Sequence, residues 1–120
     1  MSTLARLEDE WHGEVPVARL QGEIDASNVK EIGDRLRSLV TNRSLGLVVD
    51  LTQTTYLDSA GINLLFMIGE EMRSRRQHLR LVVAEGSPIV RMIVLTGLDQ
   101  AVGAHRTLAE ALSATPDPDA

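Results

Sequence analysis

The stretch that decides the fold reads Leu45-Gly-Leu-Val-Val-Asp-Leu51-Thr-Gln-Thr-Thr-Tyr56-Leu-Asp58-Ser59-Ala60-Gly61-Ile62. Its first seven residues form a short, nearly continuous apolar run with β-branched members, without the polar alternation of a half-exposed strand. That pattern predicts a strand covered on both faces, central in a sheet. Beyond the polar stretch from Thr52 to Tyr56, the positions Ile62, Leu65, Ile68, Gly69 and Met72 recur at helical spacing. The helix ends in Arg73, Arg75 and Arg76, cations that suit the negative end of a helix dipole. A buried strand therefore feeds a helix, with Asp58-Ser59 at the junction.

The flanking segments extend this alternation. Upstream, Val29, Ile32, Leu36, Leu39 and Val40 predict an amphipathic helix, and Asn28 with Glu31 forms a capping-box-like start. Between residues 3 and 22, two mixed runs flank His12-Gly13-Glu14. The second (Val15, Val17, Leu20) suggests one arm of a hairpin, and the first, with Glu8-Asp9-Glu10, is the weaker strand. Downstream, Leu79-Arg-Leu-Val-Val83 predicts another strand. Ser87-Pro88 then supplies the N-cap and first residue of a helix carrying Ile89, Val90, Ile93 and Val94, closed by Thr96-Gly97. A last short strand near Ala101-Val102 and a helix from Thr107 to Leu112 complete the chain. This order implies right-handed β-α crossovers. The expectation is one compact α/β domain over residues 1–114, with a mostly parallel sheet, an N-terminal hairpin and about four helices. The end from Thr115 to Ala120, with two prolines and two acids, is expected to be a flexible tail.

The 120 residues suit one core, and 12 Lys plus Arg against 17 Asp plus Glu give a net charge of -5. Such a balance disfavours binding driven by a phosphate backbone or an anionic membrane, so proteins are the expected partners. With no cysteine, disulfides, thiolate nucleophiles and Cys-based zinc sites are excluded, and neither metal nor cofactor is expected. The first residues contain no basic leader or apolar run, and no stretch approaches the roughly 18 apolar residues of a membrane span. A soluble cytoplasmic protein is therefore expected. No glycine-rich P-loop is present to cradle a nucleotide.

Ser59 carries the candidate chemistry. A helix N-terminus presents free N–H groups and a partial positive charge, so a phosphate on Ser59 is compatible with the helix that follows. Asp58 and Ser59 are also ordinary N-cap residues, and the junction alone leaves both readings open. A serine nucleophile is not expected. The nucleophile elbow requires glycine where Leu57 stands, and His12, His78 and His105 read as surface residues without a triad order.

Four pieces stand in register across about residues 4 to 112: Gly22-Glu23-Ile24-Asp25, the strand ending at Asp50-Leu51, Asp58-Ser59-Ala60-Gly61-Ile62, and Leu95-Thr96-Gly97-Leu98. Together they resemble the STAS domain in its bacterial anti-sigma factor antagonist branch. The resemblance implies a partner switch in transcription regulation and stress response. In it, Ser59 is phosphorylated by an ATP-using serine kinase that doubles as the anti-sigma factor. The unphosphorylated chain binds that kinase and frees the sigma factor, and the phosphorylated chain lets go until a protein phosphatase restores it. It also implies partner contacts at Asp25, Asp58, Ser59, Ala60 and Gly61, with Asp25 orienting the hydroxyl or the partner's groups. Asp25-Ala-Ser-Asn28 is equally a plausible loop, which would make Asp25 a turn residue. Ala60 stands where many relatives have serine, so no second phosphoacceptor follows Ser59. Thr52, Thr54 and Thr55 read as hydrogen-bonding residues at a strand exit. Nucleic acid, membrane and small-molecule substrate are not expected partners. The alternative is an unphosphorylated STAS scaffold in a signalling, lipid or transport assembly.

Overall fold

A computed structural model of the chain describes residues 5–114. The order is β1 (Ala5–His12), β2 (Val15–Ile24), α1 (Val29–Leu39), β3 (Gly46–Asp50), β4 (Thr54–Leu57), α2 (Ser59–Arg73), β5 (His78–Val82), α3 (Val90–Thr96), α4 (Leu98–Val102), β6 (Ala104–His105) and α5 (Leu108–Ala114). The strands form one sheet in the order β1-β2-β3-β5-β6, with β4 also paired to β2. β1 and β2 are the antiparallel hairpin, and all other pairs are parallel.

The central run behaves as its composition demands, since all five residues of β3 are buried. Leu47 and Val49 enter the larger core beneath the helices, and Val48 enters a smaller one with Val15, Val17, Val82 and Ala111. α5 covers that second face through Ala111, Leu108 and Leu112. In the larger core, Ile32 and Leu36 of α1 are fully buried beside Leu65 and Ile68 of α2. Each such side chain contributes about 1.5–3 kcal/mol by leaving water.

The polar stretch after β3 is a strand in part. β2 pairs with β3 over Val17–Arg19, and after a bulge between Gly22 and Glu23 it pairs with β4 through Gly22, Glu23 and Ile24. The threonines allow this: Thr54 is buried and its hydroxyl donates to the Leu20 carbonyl at 2.7 Å. Thr52 stays in the intervening turn, where Asp50 Oδ1 accepts both its N–H (2.9 Å) and its hydroxyl (2.7 Å). Both act as hydrogen-bonding residues, as their position suggested.

Three local expectations are corrected. The strand expected near Ala101-Val102 is the end of α4, and β6 lies just beyond it at Ala104–His105, giving five helices among the described residues. Gly97 is the reason: with φ +78° it closes α3 and starts α4, placing Leu98 and Val102 one turn apart and both buried. Asn28 makes no side-chain cap for α1. It is turned back into the preceding loop instead, accepting the Asp25 N–H at 3.0 Å and donating to the Glu23 carbonyl at 2.8 Å. Ser87-Pro88 forms a turn ahead of α3, with Ser87 Oγ accepting the Ile89 N–H at 3.4 Å, so the helix begins two residues later than expected. The segment from Thr115 to Ala120 lies outside the described residues.

Candidate functional site

The site is built where β2 and β4 end together. Ile24 stands opposite Leu57 in the parallel ladder, so the next residues, Asp25 and Asp58, emerge side by side at the carboxyl end of the sheet. The Asp58 N–H donates to the Ile24 carbonyl at 3.3 Å and extends the pairing by one residue.

Asp58 turns this extended backbone into α2. Its Oδ1 accepts the N–H groups of Ala60 (2.9 Å) and Gly61 (3.2 Å), and its carbonyl accepts the Ile62 N–H at 3.0 Å. A helix start leaves four N–H groups without intrahelical partners, and Asp58 satisfies two of them with a carboxylate on the positive end of the dipole. Ser59 is the first helical residue. It is exposed, and its hydroxyl takes no hydrogen-bond partner among the described residues. The capping role thus falls to Asp58 alone and leaves Ser59 unengaged.

Gly61 lies beneath the site. It is buried, and a Cβ there would stand 2.4 Å from Leu57 Cδ1 and 3.0 Å from Ile24 Cγ2. Only glycine lets α2 approach the ends of β2 and β4 this closely. Gly61 packs beneath the edge, and Ala60 is half-buried beside Ser59.

Asp25 is engaged within its own loop. Its Oδ1 accepts the Ser27 N–H at 2.9 Å and the Ser27 hydroxyl at 2.5 Å. These bonds, the hydroxyl's foremost, hold the carboxyl below its ordinary value. Asn28, buried beneath, holds the loop from both sides through its bonds to Asp25 and Glu23. The sheet register therefore brings Asp25, Asp58, Ser59 and Ala60 to one edge, with Gly61 supporting them.

Sequence patterning did not single out the apolar surface next to this edge. Tyr56 (48% exposed), Met92 and Leu95 (71% exposed) line a groove of about 360 Å³ with Arg91. Met67 on α2 is exposed as well. The available signal was helical phase on α3: Ile89 and Ile93 are buried, so Met92 and Leu95 turn outward, and Val94, one of the apolar residues that marked this helix, is 55% exposed. The histidines also differ from a uniform surface reading. His12 is exposed, whereas His78 and His105 are half-buried. Burial, and then nearby Arg80, pushes the His78 imidazole down.

Residues 6–111 match the profile of the STAS domain family. The chain belongs to the STAS domain family. Among similar STAS proteins, the anti-sigma-F factor antagonist RsfB of Mycobacterium tuberculosis is 32% identical over 103 residues, covering 85% of this chain and 82% of RsfB. An anti-sigma factor antagonist from Mycobacterium paratuberculosis has a crystal structure that covers 94% of this chain and 95% of its own, at TM-score 0.83 and 28% identity. The unphosphorylated form of Bacillus SpoIIAA shares the fold at TM-score 0.73 and 22% identity, over 90% of this chain and 94% of its own. Among the described residues, no helix of this STAS domain is long and apolar enough to cross a membrane.

Proposed function

We propose that this STAS domain is an anti-sigma factor antagonist that binds an anti-sigma factor serine kinase and is switched off by phosphorylation of Ser59. The observation that carries this reading is the free Ser59 hydroxyl, exposed at the first residue of α2 directly after the carboxylate that caps the helix. The kinase transfers the γ-phosphoryl group of ATP to Ser59 Oγ, ADP leaves, and the hydroxyl proton passes to the kinase's base or to solvent. A protein phosphatase returns the serine. The chain acts as the substrate and ligand of these partners and supplies no catalytic group, in the cytoplasm where they work.

The geometry supports a switch by local charge. Asp58 already holds the Ala60 and Gly61 amides, so a phosphate on Ser59 has little reason to fold back onto the helix and projects toward a partner. It adds about -1.5 to -2 charge at neutral pH to an edge that already carries Asp25 and Asp58. Two unit charges about 6 Å apart at an effective dielectric of about 20 repel by about 3 kcal/mol before screening. A fraction of that, placed in an interface, changes affinity by roughly tenfold or more.

The test is intact-mass spectrometry of the chain after incubation with ATP and each candidate anti-sigma kinase of the same genome. One added phosphoryl group on wild type and none on Ser59→Ala supports the reading. Stoichiometric labelling of Ser59→Ala overturns the site. Tight binding to a kinase without any labelling favours the scaffold.

A further inference from the structure

We propose that the groove between β4 and α3 is the apolar anchor by which the chain holds its anti-sigma kinase, taking an aliphatic or aromatic side chain of the kinase that is flanked by a carboxylate. The inference rests on the proposed function and adds to it the surface that supplies affinity. Leu57 and Ile89 are the buried part of the groove, and Tyr56, Met92 and Leu95 are exposed around them. Apolar side chains scattered singly over a surface need no explanation. Here three of them, from a strand and a helix far apart in the chain, converge on one concavity of about 360 Å³. That volume falls within the range of about 300–1,000 Å³ found for clefts that enclose an apolar group. An aromatic or aliphatic side chain seated in such a pocket is the usual form of an interface hot spot.

Position and charge select the occupant. The strand that lines the groove runs straight into the site, since Tyr56 and Leu57 are followed by Asp58 and Ser59. An interface of standard size covers about 800 Å² on each partner, so a kinase that brings its active site onto Ser59 takes in the groove as well. Arg91 is the one charged residue of the lining; it is exposed and makes no ion pair among the described residues. It calls for a carboxylate on the occupant, whereas Asp25 and Asp58 at the Ser59 edge call for a cation. A second copy of the chain is the poorer fit. The lining holds no acid, so two grooves brought together about a two-fold axis leave both Arg91 guanidiniums without a partner. Ser59 is not part of the lining, so the anchor governs capture of the chain and leaves phosphoryl transfer to the kinase.

The test is steady-state phosphorylation of the whole chain by each candidate anti-sigma kinase, with calorimetric binding to the same kinase. Leu95→Ser and Arg91→Glu should each raise KM and Kd by roughly tenfold and leave kcat within about twofold of wild type. Val94→Ser is the control: Val94 is exposed on the same helix but does not line the groove, and its loss should change neither constant. All three side chains are exposed, so the variants should keep the wild-type fold, which thermal melts check. Unchanged Kd in both groove variants, or an equal loss in Val94→Ser, would overturn the anchor while the labelling of Ser59 stands. Binding without labelling would overturn the phosphorylation switch, and the comparison of Kd values would still decide the groove. A wild-type dimer that Leu95→Ser dissociates in sedimentation equilibrium would give the groove to a second copy and overturn the kinase as its occupant. A wild-type chain that no candidate kinase binds or labels would overturn both readings.

Discussion

A Cβ placed on Gly61 would meet Leu57 Cδ1 at 2.4 Å, so the first turn of α2 rests directly on the last residue of β4. Leu57 is buried and cannot swing aside into solvent. Gly61→Ala should therefore destabilise the domain despite the better helix propensity of alanine. Overpacking costs about 1–3 kcal/mol and propensity returns about 1 kcal/mol. A net loss of up to about 2 kcal/mol lowers Tm by as much as several degrees in a domain of this size. Adding Leu57→Ala should recover part of the loss, because the two residues compete for one volume. Strict additivity in thermal melts would show that the clash is relieved elsewhere.

Asp58 and Ser59 should separate stability from recognition. Removing Asp58 as Asp58→Ala strips a cap that accepts two N–H groups and should cost about 1–2 kcal/mol. Ser59→Ala should change stability by less than about 0.5 kcal/mol, since the hydroxyl has no partner to lose. Urea melts of the two variants provide the measurement.

Ser59→Asp adds one charge where phosphate would add up to about two, so it should weaken kinase binding less than phosphorylation does. With the Ala60 and Gly61 amides already engaged, the new carboxylate should stabilise the fold little. Calorimetric affinity measured beside thermal unfolding distinguishes the two effects. An affinity loss fully accounted for by unfolding would rule out the electrostatic switch.

Asn28 is buried and makes two hydrogen bonds that hold the loop of Asp25. Asn28→Ala leaves the Glu23 carbonyl and the Asp25 N–H without these partners and should cost about 2–4 kcal/mol, at roughly 1–2 kcal/mol for each. Asn28→Asp should be at least as harmful, because an acceptor then faces the Glu23 carbonyl. Ser27→Ala, which alters an exposed pair, should cost less than either. Equal melting temperatures for all three variants would contradict this order.

Acid stability should depend on the pair joining α1 to α2. Arg37 donates to Glu71 through Nε at 2.9 Å and Nη2 at 3.0 Å, and the hydrogen-bonded guanidinium holds the Glu71 carboxyl below its ordinary value. A carboxyl depressed in the folded state contributes stability that is fully present above its unfolded value, near 4.5, and is lost as pH falls through the folded value. Both side chains are about two-fifths exposed, so the effect is a modest one. Arg37→Met should reduce stability at pH 7 and flatten its decline below pH 4.5. Parallel stability profiles for wild type and variant would refute the assignment.

Periodicity sufficed wherever one residue pattern served one environment. The apolar run Leu45–Leu51, with its β-branched members, pointed to a strand covered on both faces, found at Gly46–Asp50, and the 3.6-residue recurrence around Ile62–Met72 pointed to the helix α2. The four family pieces likewise set Asp25 after the second strand and Ser59 where a strand feeds a helix, because their spacing follows the order of the elements along the chain. Tertiary structure decided what depends on partners distant in sequence. β4 exists because Thr54 finds the Leu20 carbonyl 34 residues away, an interaction to which a local polar pattern is blind. The residues from Leu98 to Val102 are a helix because Gly97 restarts the chain and Leu98 and Val102 both reach the core. Asn28 caps no helix because the Asp25 amide and the Glu23 carbonyl offer it two bonds in a buried loop. Local propensities differ by about 1 kcal/mol or less, so one or two long-range hydrogen bonds or buried side chains override them.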